Sequence, residues 1–325
     1  MSVMNMVQAL NSALDIKLAE DPMIVTYGED VGVEGGVFRV TEGLQKKYGE
    51  ERVFDSPLAE SAIVGSAVGM CAAGLRPVVE IQFSGFAFPA FNQIVAHVSR
   101  LHNRSRGRYK VPMVIRMPYG GGIKALEHHS ESEEAFFAHI PGIKVVIPST
   151  PHDAKGLLIA AIESDDPVVF MEPKRIYRAI KQEVAAEKFA IPLGKAKVLA
   201  EGSDLTVVTY GAFVRECQKA MIPAKEAGIS VELIDLRTIS PLDRETLAES
   251  IRKTGRLLVV NEGPGCCGVA AELMAVACEE AFLSLEAPPT RLAGFDTIIP
   301  LPRGEHFYIH SPERIFYEIR KLADF

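Results

Sequence analysis

Residues 54–83 read FDSPLAESAIVGSAVGMCAAGLRPVVEIQF, and this stretch decides the fold. Its middle part is made of small and apolar residues and predicts a helix that has Glu60 at its head. The run PVVEIQF that follows predicts a buried strand. A helix that leads directly into a buried strand is typical of a β-α-β unit, so the stretch predicts part of a parallel sheet.

The alternation of helix and strand continues on both sides of this stretch. MVQALNSALDIKLAEDP (6–22) repeats apolar side chains at helical spacing, and the buried strand in MIVTYGEDVG (23–32) ends at Tyr27. Further strands are predicted in VPMVIRMP (111–118), IKVVIPST (143–150) and PVVFMEP (167–173). Together they predict an α/β domain with a mostly parallel sheet and helices on both faces.

A second α/β unit follows a polar, proline-marked stretch, KQEVAAEKFAIPLGKAK (181–197). Its predicted strands are LTVVTYG (205–211), SVELIDL (230–236) and RLLVVNEG (256–263), and its predicted helices lie near 212–227, 243–254 and 268–282. We therefore predict two domains, residues 1–188 and 189–325, each a mostly parallel sheet flanked by helices.

The composition excludes several classes of partner. The net charge of −7 comes from acids and bases mixed along all 325 residues, so a nucleic acid or an anionic membrane is not expected as a partner. No apolar run is long enough to span a bilayer, and the N-terminus lacks the pattern of a signal peptide. Five cysteines without C-x-x-C or zinc-type spacing indicate a reducing compartment, and we expect a cytoplasmic protein.

The loops at the carboxyl ends of the predicted strands are where ligands gather in an open parallel sheet. They contain the segments YGEDVG, FDSPLAES, EIQFSGFAFPAF, MPYGGGIKALEHHSES and NEGPGCCG. GPGCCG lacks the full dinucleotide-binding pattern, and Cys266 and Cys267 have no obvious base partner, so neither NAD binding nor a thiol nucleophile is expected. The chain also lacks a phosphate-binding P-loop and a G-x-S-x-G motif.

Glu60 allows two interpretations. In the first, Ser56 caps the helix, Pro57 takes its first position, and Glu60 favours the positive end of the helix dipole. In the second, Glu60 is a desolvated acid that shares a proton with a ligand nitrogen. The same helix carries a face of small residues that fits either a tight subunit contact or a core helix, namely Ala62, Gly65, Gly69 and Ala73.

Aromatic and histidine residues mark two further loops. Four phenylalanines beyond one strand predict a flat apolar wall that is either core or a surface for a planar ring: Phe83, Phe86, Phe88 and Phe91. Three glycines, 120–122, precede His128 and His129, so this loop is either mobile or unusual in its backbone path. Its histidines fit either proton transfer or a surface loop, and no metal site is expected there.

Taken together, these segments resemble one family over almost the whole chain. The sequence is similar to the β subunits of the thiamine-diphosphate-dependent decarboxylating component of 2-oxo acid dehydrogenase complexes. The segments that carry the resemblance are YGEDVG, GGVFRVTEGL, RVFDSPLAESAIVG, GLRPVVEIQF, FPAFNQIV, MPYGGG, HHSES, GIKVVIPSTPHDAKGLL, DPVVFMEPK, IDLRTISPLD and KTGRLLVVNE. The resemblance implies a transketolase-like pyrimidine-binding domain followed by a transketolase C-terminal-like domain.

The resemblance also implies roles for individual residues. Glu60 would hydrogen-bond a ring nitrogen of the cofactor's pyrimidine and so favour the imino tautomer that removes the thiazolium proton. His129 would transfer a proton while the acyl group passes to a lipoyl group. The expected cofactor-binding residues besides Glu60 are Glu29, Leu58, Ala59, Gln82 and Phe86, and the expected substrate-facing residues are Phe86, Ala87, Phe88, Pro89 and His129.

In this family the cofactor site is divided between two chains. The present chain has no G-D-G followed by an Asn, the pattern that holds magnesium and the diphosphate, so an α subunit is expected to supply both. The implied assembly is an α2β2 heterotetramer docked on a lipoyl acyltransferase core. The second domain would make the β–β contact and the contact with the core.

The substrate and two rival functions stay open at this point. FAFPAFNQIV (86–95) and EEAFFAHIPG (133–142) favour a branched-chain 2-oxo acid, whereas the segment 36–61 is shared with pyruvate enzymes. Pyruvate and acetoin are therefore the alternative substrates. The rival functions are a self-sufficient transketolase-like enzyme and a non-catalytic scaffolding subunit.

Overall fold

The computed structural model describes all 325 residues and confirms the predicted α/β class. The first half of the chain alternates strands and helices: β1 Ser2–Met4, α1 Met6–Glu20, β2 Ile24–Gly28, α2 Leu44–Tyr48, β3 Val53–Asp55, α3 Glu60–Ala72, β4 Arg76–Glu80, α4 Phe88–Gln93, α5 Leu101–Arg104, β5 Val114–Tyr119, α6 Glu134–Ala138, β6 Lys144–Val146, α7 Pro151–Glu163, β7 Val168–Pro173 and β8 Gln182–Val184.

The second half continues this alternation: β9 Lys197–Ala200, β10 Leu205–Thr209, α8 Phe213–Glu226, β11 Val231–Asp235, β12 Thr238–Ser240, α9 Arg244–Thr254, β13 Leu257–Pro264, α10 Val269–Ala281, β14 Thr290–Gly294, α11 Glu305–Tyr308 and α12 Pro312–Ala323. The predicted division near residue 188 falls between β8 and β9 and stays a prediction. None of the helices is both long and apolar enough to cross a membrane.

Two main sheets organise these elements. The larger has seven strands in the order β12-β6-β7-β5-β4-β2-β3, and the smaller has five in the order β14-β13-β10-β11-β9. All neighbours are parallel except β12 against β6 and β9 against β11. Because β12 belongs to the second half of the chain, it joins the two halves through backbone hydrogen bonds.

Local sequence explains why the first helix begins where it does. Asn5 accepts a hydrogen bond from the backbone of Gln8 at 3.0 Å, and the Gln8 side chain accepts one from the backbone of Asn5 at 3.0 Å. This reciprocal capping satisfies two amides that a helix start leaves unpaired. The buried side of α1 then packs against α7 on one face of the larger sheet.

Three charged residues lie inside the larger sheet. Arg116 on β5 is 1% exposed and contacts Glu80 on β4 at 2.8 Å and Glu172 on β7 at 2.7 Å. Tyr177 donates a hydrogen bond of 2.5 Å to Glu172. Burial acts to lower the pKa of Arg116, but the two carboxylates raise it overall and keep the guanidinium charged.

The sequence contained a signal for this network that the strand patterns did not use. Each of three predicted apolar strands carries one charged residue, and the three are Glu80, Arg116 and Glu172. A buried charge is stable only when it is paired, so one arginine and two glutamates on neighbouring strands predict contact. The strands β4, β5 and β7 are neighbours in the larger sheet, and this order brings the three charged residues together.

Candidate active site

Three loops at the carboxyl edge of the larger sheet are tied to one another. The backbone amide of Ser56, after β3, donates to the carbonyl of Gly28 at the end of β2 over 2.9 Å. Gln82, after β4, donates to Asp30 over 2.9 Å. Ser61 on α3 donates to the carbonyl of Pro89. The loops that carry Glu29, Glu60 and Phe86 therefore converge at one place.

Glu60 is the first residue of α3, and the capping interpretation of this segment is wrong. The residue at the N-cap is Ala59, which makes no side-chain capping bond, and the Ser56 hydroxyl is buried without a hydrogen-bond partner. Ser56 lies too far before the helix start to cap it. Glu60 still lies at the positive end of the helix dipole, where a carboxylate is stabilised. It is half-buried within this chain.

Glu29 is the second acid in this place. Burial raises the pKa of Glu29, and the negative charges of Asp30 and Glu60 raise it further. A carboxyl group whose pKa is raised in this way keeps its proton more readily and can offer it to a ligand. The site is therefore suited to bind a group that accepts or shares a proton.

The predicted phenylalanine wall is divided in the structure. Phe83 and Phe86 lie edge to face, with ring centroids 5.8 Å apart, and the His129 ring lies 4.5 Å from Phe83 and 5.0 Å from Phe86. Phe88 pairs instead with Phe136 at 6.2 Å, and Phe91 packs against Phe137. A single flat wall of four rings was therefore the wrong expectation, because the turn at 84–87 sends the later rings elsewhere.

The remaining predicted residues differ in exposure. Leu58 is 70% exposed, Phe88 is 48% exposed, and Pro89 is also exposed. Ala87 is buried, whereas Ala59 and Gln82 are half-buried. Leu58 and Phe88 are therefore apolar side chains that this chain leaves exposed to solvent.

The glycine-rich loop follows an unusual backbone path and is held in place by the second half of the chain. Gly120 and Gly122 have φ of +80° and +90°, values that favour glycine. The amide of Gly121 donates to Glu262, and the amide of Gly122 donates to Glu305 over 2.8 Å. Carboxylates from β13 and α11 thus position this loop.

The two histidines of this loop have different surroundings. His129 is half-buried against Phe83 and Phe86, and its Nδ1 lies 2.9 Å from the carbonyl oxygen of Glu127. His128 is exposed and has φ of +63°. A Cβ at Gly85 would overlap the His128 carbonyl, so the loop packs directly on the backbone beside Phe86.

Three of the four small residues on one face of α3 are open in this chain, whereas Gly65 is half-buried against Gln93 on α4. Ala62, Gly69 and Ala73 are exposed, and a Cβ at Gly69 would meet nothing within 4 Å. The core contacts of α3 are made by its other face, through Ile63, Val64, Ala67 and Cys71. The interpretation of the small residues as a core face was therefore wrong, and the face is available for a close contact.

The donor set fits part of a nitrogen heterocycle cofactor. A half-buried carboxyl at Glu60, a second acid at Glu29 and the flat face of Phe86 suit a planar ring with a basic nitrogen. No group of three or more His, Cys, Asp and Glu side chains is arranged to hold a metal ion. The chain therefore fits the heterocycle but offers no cluster for a metal-bound diphosphate.

Comparison with known proteins decides the family. The transketolase pyrimidine-binding domain matches residues 2–180, and the transketolase C-terminal domain matches residues 194–315. The chain is also 59% identical over 323 residues to the "Pyruvate dehydrogenase E1 component subunit beta" of Acholeplasma laidlawii, with 99% of each chain covered.

The chain belongs to the family of thiamine-diphosphate-dependent 2-oxo acid dehydrogenase E1 β subunits. Proteins of the same name from Mycoplasma pneumoniae and Bacillus subtilis are 51% and 49% identical to it; the first match covers 98% of this chain and 97% of the relative, the second all of both. A solved structure, "Split gene transketolase, inactive beta4 tetramer", superposes with a TM-score of 0.81 over 99% of both chains at 23% identity, which shows a shared fold.

These relatives bear on the substrate expected for this E1 β subunit. All three relatives are named for pyruvate, so the pyruvate alternative matches them, while the preference for a branched-chain acid has no support from them. The cofactor of the family is thiamine diphosphate, in agreement with the resemblance seen in the sequence.

Two buried acids, Glu133 and Glu134, follow the histidine loop of this E1 β subunit. Tyr210 donates a hydrogen bond of 2.7 Å to Glu134, which is 1% exposed, and burial raises the pKa of Glu134 to about 8. Burial also raises the pKa of the neighbouring Glu133 to about 7. Both acids line a cavity of about 650 Å³ between the two halves of the chain.

Glu134 should make the chain less stable as the pH rises. Below pH 8 the folded chain keeps Glu134 protonated, whereas an unfolded glutamate ionises near pH 4.3. Folding therefore takes up a proton between these pH values, and this group alone lowers the free energy of unfolding by up to about 1.4 kcal/mol per pH unit.

We expect Glu134→Gln to flatten this dependence, because glutamine keeps an acceptor for Tyr210 but does not titrate. Urea unfolding at pH 5.5 and 7.5 measures the effect, and Glu50→Gln at an exposed position is the matched control. An unchanged difference between the two pH values in Glu134→Gln would contradict the assignment.

Proposed function

We propose that this chain is the β subunit of a pyruvate dehydrogenase E1 component and acts in a tetramer with an α subunit. The observation that carries the proposal is 59% identity over 99% of both chains to a protein named as that subunit. Further relatives with the same name lie at 48–51% identity. A branched-chain 2-oxo acid is the second candidate substrate.

We further propose that Glu60 and its neighbours hold the pyrimidine half of thiamine diphosphate. When bound, this cofactor supplies the carbanion chemistry that 2-oxo acid decarboxylation needs. Glu60 holds a proton on a pyrimidine ring nitrogen, and Phe86 stacks on the ring. Glu29, Leu58, Ala59 and Gln82 complete the contacts. The convergence of three loops and the half-burial of Glu60 support this arrangement.

The α subunit completes the site in this proposal. It supplies the ligands for magnesium and the diphosphate, and it covers Glu60, which is half-buried in this chain, and Leu58, which is exposed. Coverage by a second protein would exclude water and strengthen the hydrogen bond of Glu60. The open small-residue face of α3 supports close approach of another subunit at this place.

In this proposal, the substrate and the acyl acceptor meet beside the aromatic cluster of Phe83, Phe86 and His129. Phe86, Ala87, Phe88 and Pro89 face the 2-oxo acid. His129, whose ring lies 5.0 Å from that of Phe86, moves a proton during acyl transfer to a lipoyl group carried by an acyltransferase core. The contact of His129 with Phe86 supports its presence at the reacting end of the site.

We also propose that the two domains, which meet near residue 188, have different functions. The first domain binds the pyrimidine, and the second makes contacts with other subunits and with the acyltransferase core. Large apolar side chains exposed on the second domain support this role, among them Leu283 at 97% and Phe307 at 74%.

The substrate assignment predicts a clear preference in a two-substrate assay. The chain, co-expressed and purified with its α subunit, should oxidise pyruvate with a kcat/KM at least about tenfold above that for 3-methyl-2-oxobutanoate, because a pocket shaped for one methyl group resists two more. An artificial electron acceptor reports the rate. The chain alone should be inactive.

Two outcomes of this assay would contradict the proposal. A preference for 3-methyl-2-oxobutanoate would favour the branched-chain candidate. Activity of the chain without an α subunit would favour a self-sufficient transketolase-like enzyme.

Glu60→Gln should lower kcat/KM of the complex at least about 100-fold, because an amide cannot share a proton with the ring nitrogen. Glu42→Gln is the matched control and should keep full activity, because Glu42 is exposed in the loop between β2 and α2. Size-exclusion chromatography checks that both complexes assemble. Full activity of an assembled Glu60→Gln complex would favour a non-catalytic scaffolding subunit.

His129→Ala should lower the rates measured in two assays to different extents. Acyl transfer to a lipoyl domain should fall roughly 100-fold or more, whereas oxidation with an artificial acceptor should change only a few-fold, because His129 acts on the lipoyl group. His128→Ala is the control, since His128 is the exposed neighbour. Equal losses in both assays would instead assign His129 to an earlier step.

A further inference from the structure

Two adjacent thiols lie side by side at the surface of the second domain. Cys266 and Cys267 form part of the turn between β13 and α10, and both are exposed. Their sulfur atoms are 4.0 Å apart. Cys278 is also exposed but has no neighbouring thiol, and Cys71 and Cys217 are buried.

The turn holds the two side chains on the same side of the backbone. Adjacent side chains in an extended chain point to opposite sides, but Cys267 has φ of +52°, a left-handed conformation that L-residues seldom adopt. The amide of Cys266 donates to Asp296 over 2.8 Å, and Arg291 donates to the carbonyl of Gly265 over 2.7 Å. These bonds fix the backbone that brings the two sulfur atoms together.

The distance between the sulfur atoms fits a shared third atom better than a direct bond. A disulfide needs the sulfurs at about 2.05 Å, so they would have to approach by roughly 2 Å. Trivalent arsenic is pyramidal, so its bond angles are narrower than those of a tetrahedral ion. Two thiolates on a tetrahedral ion at about 2.3 Å lie about 3.8 Å apart, and this separation is an upper bound for arsenic. The observed separation of 4.0 Å therefore requires a smaller approach of the two sulfur atoms for a shared arsenic than for a disulfide.

The surroundings favour a ligand that needs two thiols and no more. No group of three or more His, Cys, Asp and Glu side chains is arranged to hold a metal ion, so a structural zinc would lack protein ligands here. A trivalent arsenical with one organic group requires only two sulfur ligands. Both cysteines line the cavity of about 650 Å³ between the two halves of the chain, which leaves space for that organic group.

We propose that Cys266 and Cys267 form a two-thiol chelation site for trivalent arsenicals that carry one organic group. In the reaction with phenylarsine oxide, two S–H bonds and the arsenic–oxygen bond break, and two sulfur–arsenic bonds form. The two protons leave with the oxygen as one water molecule, and no atom is oxidised or reduced. The site is separate from the residues proposed to bind thiamine diphosphate.

The test uses phenylarsine oxide with the reduced full-length chain and with its complex with the α subunit. Intact-mass measurement should show one adduct with the mass of the arsenical less one water, and both thiols should resist alkylation. A monothiol should leave the adduct in place, whereas a dithiol should remove it. Cys267→Ser should weaken binding roughly 100-fold, because the second bond of a chelate forms within one molecule.

Cys278→Ser is the matched control and should bind as tightly as the unchanged chain. Unchanged binding in Cys267→Ser, or an adduct that maps to Cys278, would overturn the proposal. Absence of an adduct in the complex would overturn it for the assembled protein. The readout is binding, so the result is independent of whether the complex oxidises pyruvate.

Discussion

The structure depends on one buried arginine held between two carboxylates. Arg116 lies between Glu80 and Glu172 with almost no exposure. It is level with Glu80, the last residue of β4, and β5 and β7 end three residues further on. Charges in such surroundings are stable only when geometry and hydrogen bonding are nearly ideal, so the network tolerates no shift of one strand against another. The loops that carry Gln82, Phe86 and the glycine-rich segment all leave from these strands. Their relative positions are therefore set beneath the site.

The second domain determines the shape of the other half of the site. Glu262 and Glu305 accept hydrogen bonds from backbone amides of the glycine-rich loop, and Tyr210 binds Glu134 just after the histidines. His129 lies against the aromatic cluster, and the second domain holds the chain both before and after it. The domain assigned to subunit contacts thus also positions a residue proposed to move protons.

Strong local periodicity made much of the fold predictable from the sequence. The apolar runs around Tyr27, Arg116 and Val259 are strands, and the helix predicted near 268–282 is α10 at Val269–Ala281. The strands β1, β3, β8, β9, β12 and β14 were not predicted, because their short sequences mix polar and apolar residues without a clear pattern and owe their structure to a neighbouring strand.

The site was predictable in its composition but not in its geometry. Loops at the carboxyl ends of strands indicated which segments meet, and the resemblance indicated Glu60 and His129. The wrong expectations at Ser56 and at the phenylalanine wall have one cause. The helix starts three residues later than the simplest pattern predicts, at Glu60 instead of Pro57, and a turn at 84–87 redirects the later rings. Long-range contacts such as that between Ser61 and Pro89 hold these segments in place.

The pairing of β12 with β6 also bears on how the chain is made. A sheet edge with free backbone groups is a template for aggregation, and β6 stays uncovered until residues 238–240 have been synthesised and have reached it. During translation, the first half of the chain therefore exposes a strand edge that can pair with other chains. Chaperone protection would be needed longest in the interval between the synthesis of β6 and that of β12.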